Sequence, residues 1–291
     1  NGTRWCSGSL LNNVDEDETP YFLTANHCVG GGSVAGWAFR FNWESAEADA
    51  DCATTAPSVD SSFDQTVSGA VLRANRYNSD FALVEITDTA FFSANPDVVW
   101  AGWNRSTTNV PTLNVGVHHP SGDIQKVCVD FQGATRFTTS FNGNATTEVW
   151  RIADWDLGVT EPGSSGSPLF DQDGYIIGKL SGGSAACSGT NDNGGFDIYG
   201  RFGVSWDFSS VNSQQLKFWL DPAGSDPLTL DQYPALQVFN LDAAVSISDI
   251  PTTLCENNIT PTIRITNAGN NQLTSATITY QLDTNAIETI N

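Results

Sequence analysis

Three short segments far apart in the chain constrain the fold most, because the chemistry written across them works only if they meet. They are Thr24-Ala25-Asn26-His27-Cys28, Ser79-Asp80-Phe81-Ala82-Leu83 and Gly163-Ser164-Ser165-Gly166-Ser167-Pro168. A serine hydroxyl is a weak nucleophile near neutral pH. It needs a hydrogen-bonded imidazole to take its proton, and that imidazole needs a buried carboxylate to fix its tautomer. Singly, each residue is weak evidence of chemistry: Ser-Gly runs are ordinarily loops, and an Asp ahead of an apolar strand is ordinarily a turn residue. Context strengthens the set. His27 follows the largely apolar Tyr21-Phe22-Leu23-Thr24-Ala25, and Asp80 opens the strand-like Phe81 to Ile86. Ser165 lies in a glycine-flanked turn, which permits a bend tight enough for backbone N–H groups to face one spot.

The chain has 291 residues, enough for one substantial core and a second module. The 33 acidic against 12 basic side chains and net charge of -21 argue against nucleic acid and anionic membranes as partners. Such a surface draws in basic peptides, or simply keeps a secreted protein soluble. Six cysteines, no run of roughly 18 or more apolar residues and no basic leader lead us to expect an extracellular, disulfide-bearing chain without membrane insertion. Cys6 and Cys28 bracket a two-strand unit and are expected to pair beside the histidine. Cys52, Cys128, Cys187 and Cys255 permit three complete pairings, among which the sequence does not choose. No cysteine spacing fits zinc, and His118-His119 would point to opposite faces of a strand, so no metal or other cofactor is expected. Asn104-Arg105-Ser106 is one of four formal glycosylation sequons.

From Trp5 to about Trp206, short apolar or alternating runs are separated by Gly, Asn, Asp, Ser and Pro, a pattern of antiparallel sheet. The runs include Trp37 to Trp43, Val67 to Leu72, Phe81 to Ile86, Leu113 to Val117, Val127 to Phe131, Tyr175 to Leu180 and Tyr199 to Trp206. Asp171-Gln172-Asp173-Gly174 reads as a hairpin turn. One helix is expected over Ser210 to Leu220, ended by Asp221-Pro222. Beyond that the composition shifts to Thr-, Ile- and Val-rich alternation joined by Asn-rich turns, which suggests an immunoglobulin-like sandwich over 235–291. With only three or four strands, that second domain is expected to be incomplete.

These residues resemble the lysyl endopeptidases, a bacterial branch of the chymotrypsin-like serine proteases. The resemblance runs from about Cys6 to Pro222 through Cys6-Ser7-Gly8-Ser9-Leu10, the segments around His27 and Ser165, Trp100-Ala101-Gly102-Trp103, His118-His119-Pro120, Asp197-Ile198-Tyr199-Gly200-Arg201 and Trp219-Leu220-Asp221-Pro222. It implies an all-β, chymotrypsin-like double six-stranded barrel with a C-terminal helix over 1–227, cleaving peptides after lysine. By position, Ser165 resembles the nucleophile, His27 the base and Asp80 its orienting acid. The N–H groups of Gly163 and Ser165 would form the oxyanion hole. Ser181, Gly182 and Gly183 resemble the substrate-binding strand, and Asp197 the carboxylate that holds the lysine ammonium. Val159 occupies the position where ordinary trypsins carry their pocket Asp, which favours lysine. The scarcity of lysine, three against nine Arg, means few sites for self-cleavage or simply an acidic extracellular composition.

The chain also departs from the family. Ser181 stands where active members can carry His, and its hydroxyl is expected to bond Asp80 instead. Ser164 replaces the trypsin Asp, so activation by a freed N-terminus is not expected. The family's earlier N-terminal segment carries cysteines that bond positions like Cys52 and Cys187, so either that segment is a separate polypeptide or these cysteines have other partners. The rival expectations are trypsin-like Lys/Arg specificity, or an impaired protease-fold module that binds a cell-surface or secretion-system partner through the C-terminal domain.

Overall fold

The computed structural model describes residues 5–30, 32–45, 63–141, 145–189 and 191–235, and in the tail 243–248, 262–267, 269, 271–275, 277–281 and 288–290. The chain divides into two compact units, Asn1–Ala235 and Leu236–Asn291.

The first unit is mostly β. Its N-terminal half contains β1 (Ser9–Leu10), β2 (Tyr21–Ala25), β3 (Ala38–Arg40), β4 (Thr66–Ser68), β5 (Ala70–Arg76) and β6 (Phe81–Ile86). Four of these form an antiparallel sheet in the order β1-β2-β6-β5, while β3 pairs with β4. The continuous apolar run of β6 follows from burial on both faces. Ala82, Val84 and Ile86 enter a core with Phe39, Val67, Phe92 and Trp100, whereas Phe81 and Leu83 enter a second core with Leu23 and Ala74. A period of two sends alternate side chains to opposite faces, so one strand serves both.

The second half adds β7 (Trp103–Asn104), β8 (Asn114–His118), β9 (Lys126–Asp130), β10 (Thr135–Thr139), β11 (Thr147–Ile152), β12 (Trp155–Leu157), β13 (Pro168–Phe170), β14 (Ile176–Gly183), β15 (Asn191–Asn193), β16 (Asp197–Arg201) and β17 (Thr229–Leu230). They form one 11-stranded sheet whose main path runs β10-β11-β16-β14-β13-β8-β9-β12-β15, with β7 joining β14 to β17. The mostly β character expected of the double six-stranded barrel is present; among the described residues of this unit the strands pair as one four-stranded, one two-stranded and one 11-stranded sheet. The first half splits its strands between two sheets, and the second half is larger. The Asp171–Gly174 hairpin is present: β13 and β14 are antiparallel, and Asp171 Oδ1 accepts bonds from the N–H groups of Asp173 and Tyr175.

One strand expectation and one helix expectation are corrected. Tyr199 to Trp206 is a strand only to Arg201; Phe202–Asp207 is helical. Phe202 and Trp206, four residues apart, fall on one helical face, and both pack on Trp103, at 5.3 and 4.7 Å between ring centroids. Conversely, Ser210 to Leu220 is not one helix but two short turns, Asn212–Gln214 and Lys217–Leu220, with Gln215 extended between them. Leu216 is the cause: its side chain is fully buried and its N–H bonds the Ser205 carbonyl, a contact a continuous helix would forbid.

Trp103, Ile176, Phe202, Trp206, Leu216 and Leu220 of the second half share the core of Leu11, Leu23, Phe81 and Leu83 from the first. The described residues of the tail form two two-stranded antiparallel sheets, Ala243–Ser248 with Thr262–Asn267 and Ile278–Tyr280 with Glu288–Ile290. They do not show the expected immunoglobulin-like sandwich. Among the described residues no helix is long and apolar enough to cross a membrane.

Trp103 is wholly buried and donates its indole N–H to the Asn12 carbonyl at 2.8 Å. Trp103→Ala should cost about 3–5 kcal/mol, read as a lowered urea midpoint, because it empties the seam between the halves. A loss under about 1 kcal/mol would mean that this core does not hold them together.

Candidate active site

Asn26–Val29 forms a single helical turn directly after β2, and it carries His27 to the end of the sheet. Asp80 ends the β5–β6 turn with φ +52°, a left-handed conformation that Asp tolerates better than most residues. The Asn26 N–H donates to the Asp80 carbonyl at 2.9 Å, fixing the two turns edge to edge. Both carboxylate oxygens of Asp80 then engage His27. Oδ1 accepts from the His27 backbone N–H at 3.0 Å and Oδ2 lies 2.8 Å from the ring Nδ1. A carboxylate only accepts, so the proton of that bond sits on Nδ1.

Ser165 reaches the same place through its backbone. Its carbonyl accepts from Ser7 N–H at 2.8 Å, and Cys6, next to Ser7, forms the expected disulfide with Cys28, next to His27. Gly166 lies so close to β2 that a Cβ there would meet the Ser7 carbonyl at 2.5 Å, Ala25 N at 2.7 Å and the Thr24 hydroxyl. The Ser165 side chain is half-buried, and no hydrogen bond joins it to His27. In the turn itself the N–H groups of Ser164, Gly166 and Ser167 are used in backbone bonds, to Glu161, Leu180 and Ser164. Those of Gly163 and Ser165 make no bond among the described residues. Gly163 has φ +102°, open to glycine alone at little cost.

Ser181, Gly182 and Gly183 end β14, where Gly182 and Gly183 pair with Ile198 and Asp197 of β16. Asp197 is 2% exposed. Its Oδ2 accepts from Trp155 Nε1 at 2.8 Å and from the Thr160 hydroxyl at 2.5 Å. Oδ1 faces the space that a Cβ on Gly183 would fill. Burial pushes the Asp197 carboxyl pKa up, and the Thr160 and Trp155 bonds pull against it. Ser181 does not behave as expected: its hydroxyl oxygen is buried without a hydrogen-bond partner and makes no bond to Asp80, whose two oxygens are both turned to His27.

Several supporting residues were not assigned roles from sequence. Ser7, Trp155 and Thr160 are ordinary residue types, and only contacts distant in the chain give them meaning. His118 is fully buried, with Nδ1 2.7 Å from the Ser164 hydroxyl, beside Ser165. Its Nε2 is buried without a partner. Burial therefore holds the ring neutral, with a pKa lowered to about 3. His119 stacks on Trp43 instead, so the two adjacent histidines do diverge. Cys128 is buried and Cys187 exposed, both as free thiols, so they do not pair with one another. Cys52 and Cys255 lie outside the described residues. Asn104 is buried and bonds Asp171, which takes its sequon out of reach of a glycan.

Residues 1–200 match the family profile described as the lysyl endopeptidase C-terminal domain. The chain belongs to the lysyl endopeptidase family. A lysyl endopeptidase of Pseudomonas aeruginosa is 26% identical over 227 residues, which cover 75% of this chain and 44% of that protein. The chain thus spans less than half the length of this curated relative. Similar solved structures include a thermostable serine protease, AL20, from an extremophilic microorganism (TM-score 0.43, 14% identity, covering 68% of this chain and 86% of that one). A Glu endopeptidase is similar at TM-score 0.43 and 16% identity, covering 69% and 81% respectively.

The buried His118 makes a prediction for stability. Below pH about 6.5 the unfolded chain takes up a proton on this residue, whereas the folded chain does so only near pH 3. The unfolded state therefore binds more protons across that window, and stability falls as the pH drops through it. His118→Asn keeps a polar atom near Ser164 and removes the titration. Urea midpoints between pH 7 and pH 4 should fall less steeply in this variant; parallel curves would exclude His118 as a source of acid sensitivity.

Proposed function

We propose that this chain is a secreted serine endopeptidase that hydrolyses peptide bonds on the carboxyl side of lysine. The observation that carries the reading is the doubly bonded His27–Asp80 pair, with the Ser165 turn locked against the strand that leads into it. His27 Nε2 takes the proton of Ser165 as Oγ attacks the substrate carbonyl, and Asp80 stabilises the imidazolium. The unused N–H groups of Gly163 and Ser165 receive the oxyanion, where losing one donor typically costs about 10²- to 10³-fold in turnover. His27 then passes the proton to the leaving amine. Water, activated by the same imidazole, releases the acid from the acyl-enzyme. The end of β14, half-buried at Gly182 and exposed at Gly183, offers backbone groups to an extended peptide.

Asp197 supports selection of a cation, since a buried carboxylate left unpaired is costly. The preference for lysine rests on how Asp197 is held. Trp155 and Thr160 both occupy Oδ2, which leaves Oδ1 as the open acceptor. A single ammonium needs one such oxygen, whereas the forked guanidinium of arginine gains most from two.

Paired peptides that differ only in Lys or Arg at the scissile residue test this reading. Cleavage after Lys should exceed that after Arg by at least about 100-fold, fall to background in Ser165→Ala and be largely lost in Asp197→Asn. Equal cleavage after Arg would refute the pocket assignment and leave the triad standing. Full activity in Ser165→Ala, or failure of the wild-type protein to react with a fluorophosphonate, would refute the catalytic assignment.

A further inference from the structure

Lys179, in the middle of β14, is 1% exposed, and a lysine this deep requires an explanation. Its Nζ donates to the Ser79 carbonyl, the peptide group directly before Asp80. The contact crosses between the halves, from the second-half sheet to the β5–β6 turn. The fold makes room for it: Lys179 is in register with Gly200 of β16, where a Cβ would collide with the ammonium. Ser79 is held again from the other side, as its hydroxyl accepts from Ser205 at 3.1 Å. Among the segments packed around Lys179, β13 places Pro168 and β16 places Gly200 opposite it, and neither ionises. The charge acting on it among the described residues is that of Asp80. No ion pair joins the two, so the influence is through space.

We infer that Lys179 is a positioning residue for Asp80: it grips the preceding peptide, holds Asp80 in its left-handed conformation against His27, and offsets the negative charge of the buried carboxylate. This deepens the proteolytic reading and rests on it for its catalytic consequence, but not for the coupling itself. Burial disfavours the ammonium and lowers the Lys179 pKa to about 7, while Asp80 acts in the opposite direction. Each group therefore stabilises the charge of the other, and the coupling must be reciprocal.

The experiment has two arms. In the first, lysine side chains are isotope-labelled at Cε and Nζ and followed by NMR against pH. Only Lys126, Lys179 and Lys217 contribute, and Lys126→Arg and Lys217→Arg assign the signals. Lys179 should titrate near pH 7, and Asp80→Asn should shift its titration further down by a clear fraction of a pH unit. A signal that does not respond to Asp80→Asn overturns the proposal, whether or not the protein cleaves peptides. In the second arm, Lys179→Met should lower kcat by about tenfold or more with KM little changed, because Asp80 is no longer held. The acid limb of the kcat/KM profile should also move to higher pH, since an uncompensated Asp80 keeps the proton on His27 more tightly. A folded Lys179→Met with unaltered kcat and pH profile would overturn the positioning role. If this variant fails to fold, the first arm decides alone.

Discussion

Ser7 is the residue on which the geometry of the site turns. Its N–H holds the Ser165 carbonyl, its hydroxyl donates to the Gly163 carbonyl at 3.0 Å and accepts from the His119 N–H at 2.9 Å, and its own carbonyl accepts from the Thr24 hydroxyl at 2.8 Å. Every polar group of one buried serine is thus spent tying the serine turn to the strand before His27. Such a fully satisfied network is rigid because any displacement leaves a buried polar group unpaired. The Cys6–Cys28 disulfide then fixes Ser7 to the turn that carries His27, so the same short N-terminal segment positions both.

That network needs a firm base, which the shared core supplies. Phe81 and Leu83 of β6 pack with Trp103, Phe202 and Trp206, while Asp80 directly precedes the same strand. Packing between the halves and placement of the acid are therefore one event. A shift of β6 against the second-half sheet would move Asp80 relative to Ser165 and would break the stack on Trp103 at the same time.

The sequence made the local parts of this site legible. His27, Asp80 and Ser165 each sit in a short context with chemical meaning, the Cys6–Cys28 pairing follows from the strands they bracket, and the Asp171–Gly174 turn is written in its residues. What was not legible depends on contacts between distant segments. Leu216 looks like one more member of a helical stripe until its N–H is seen to bond Ser205. Phe202 and Trp206 look like the end of a strand until both are seen to pack on Trp103. Ser181 looked like the partner of Asp80, yet the support for that turn comes from Lys179, a residue that in sequence is only a lysine in an apolar run. Which strand edges pair is likewise a property of the whole sheet rather than of any one segment.

The two buried acids of the site are handled in opposite ways, and the difference fits the separate roles proposed for them. Asp80 has the imidazole on one side and the ammonium of Lys179 beyond the Ser79 peptide on the other, so its charge is compensated from within the protein. Asp197 receives only the neutral donors Trp155 and Thr160, and no cation among the described residues acts on it. Neutral donors make a buried carboxylate tolerable without cancelling its field. Asp197 therefore keeps a negative potential that no charge among the described residues offsets, which suits the cation-binding role proposed for it. Asp80 has none to spare, as suits the imidazole-orienting role proposed for it.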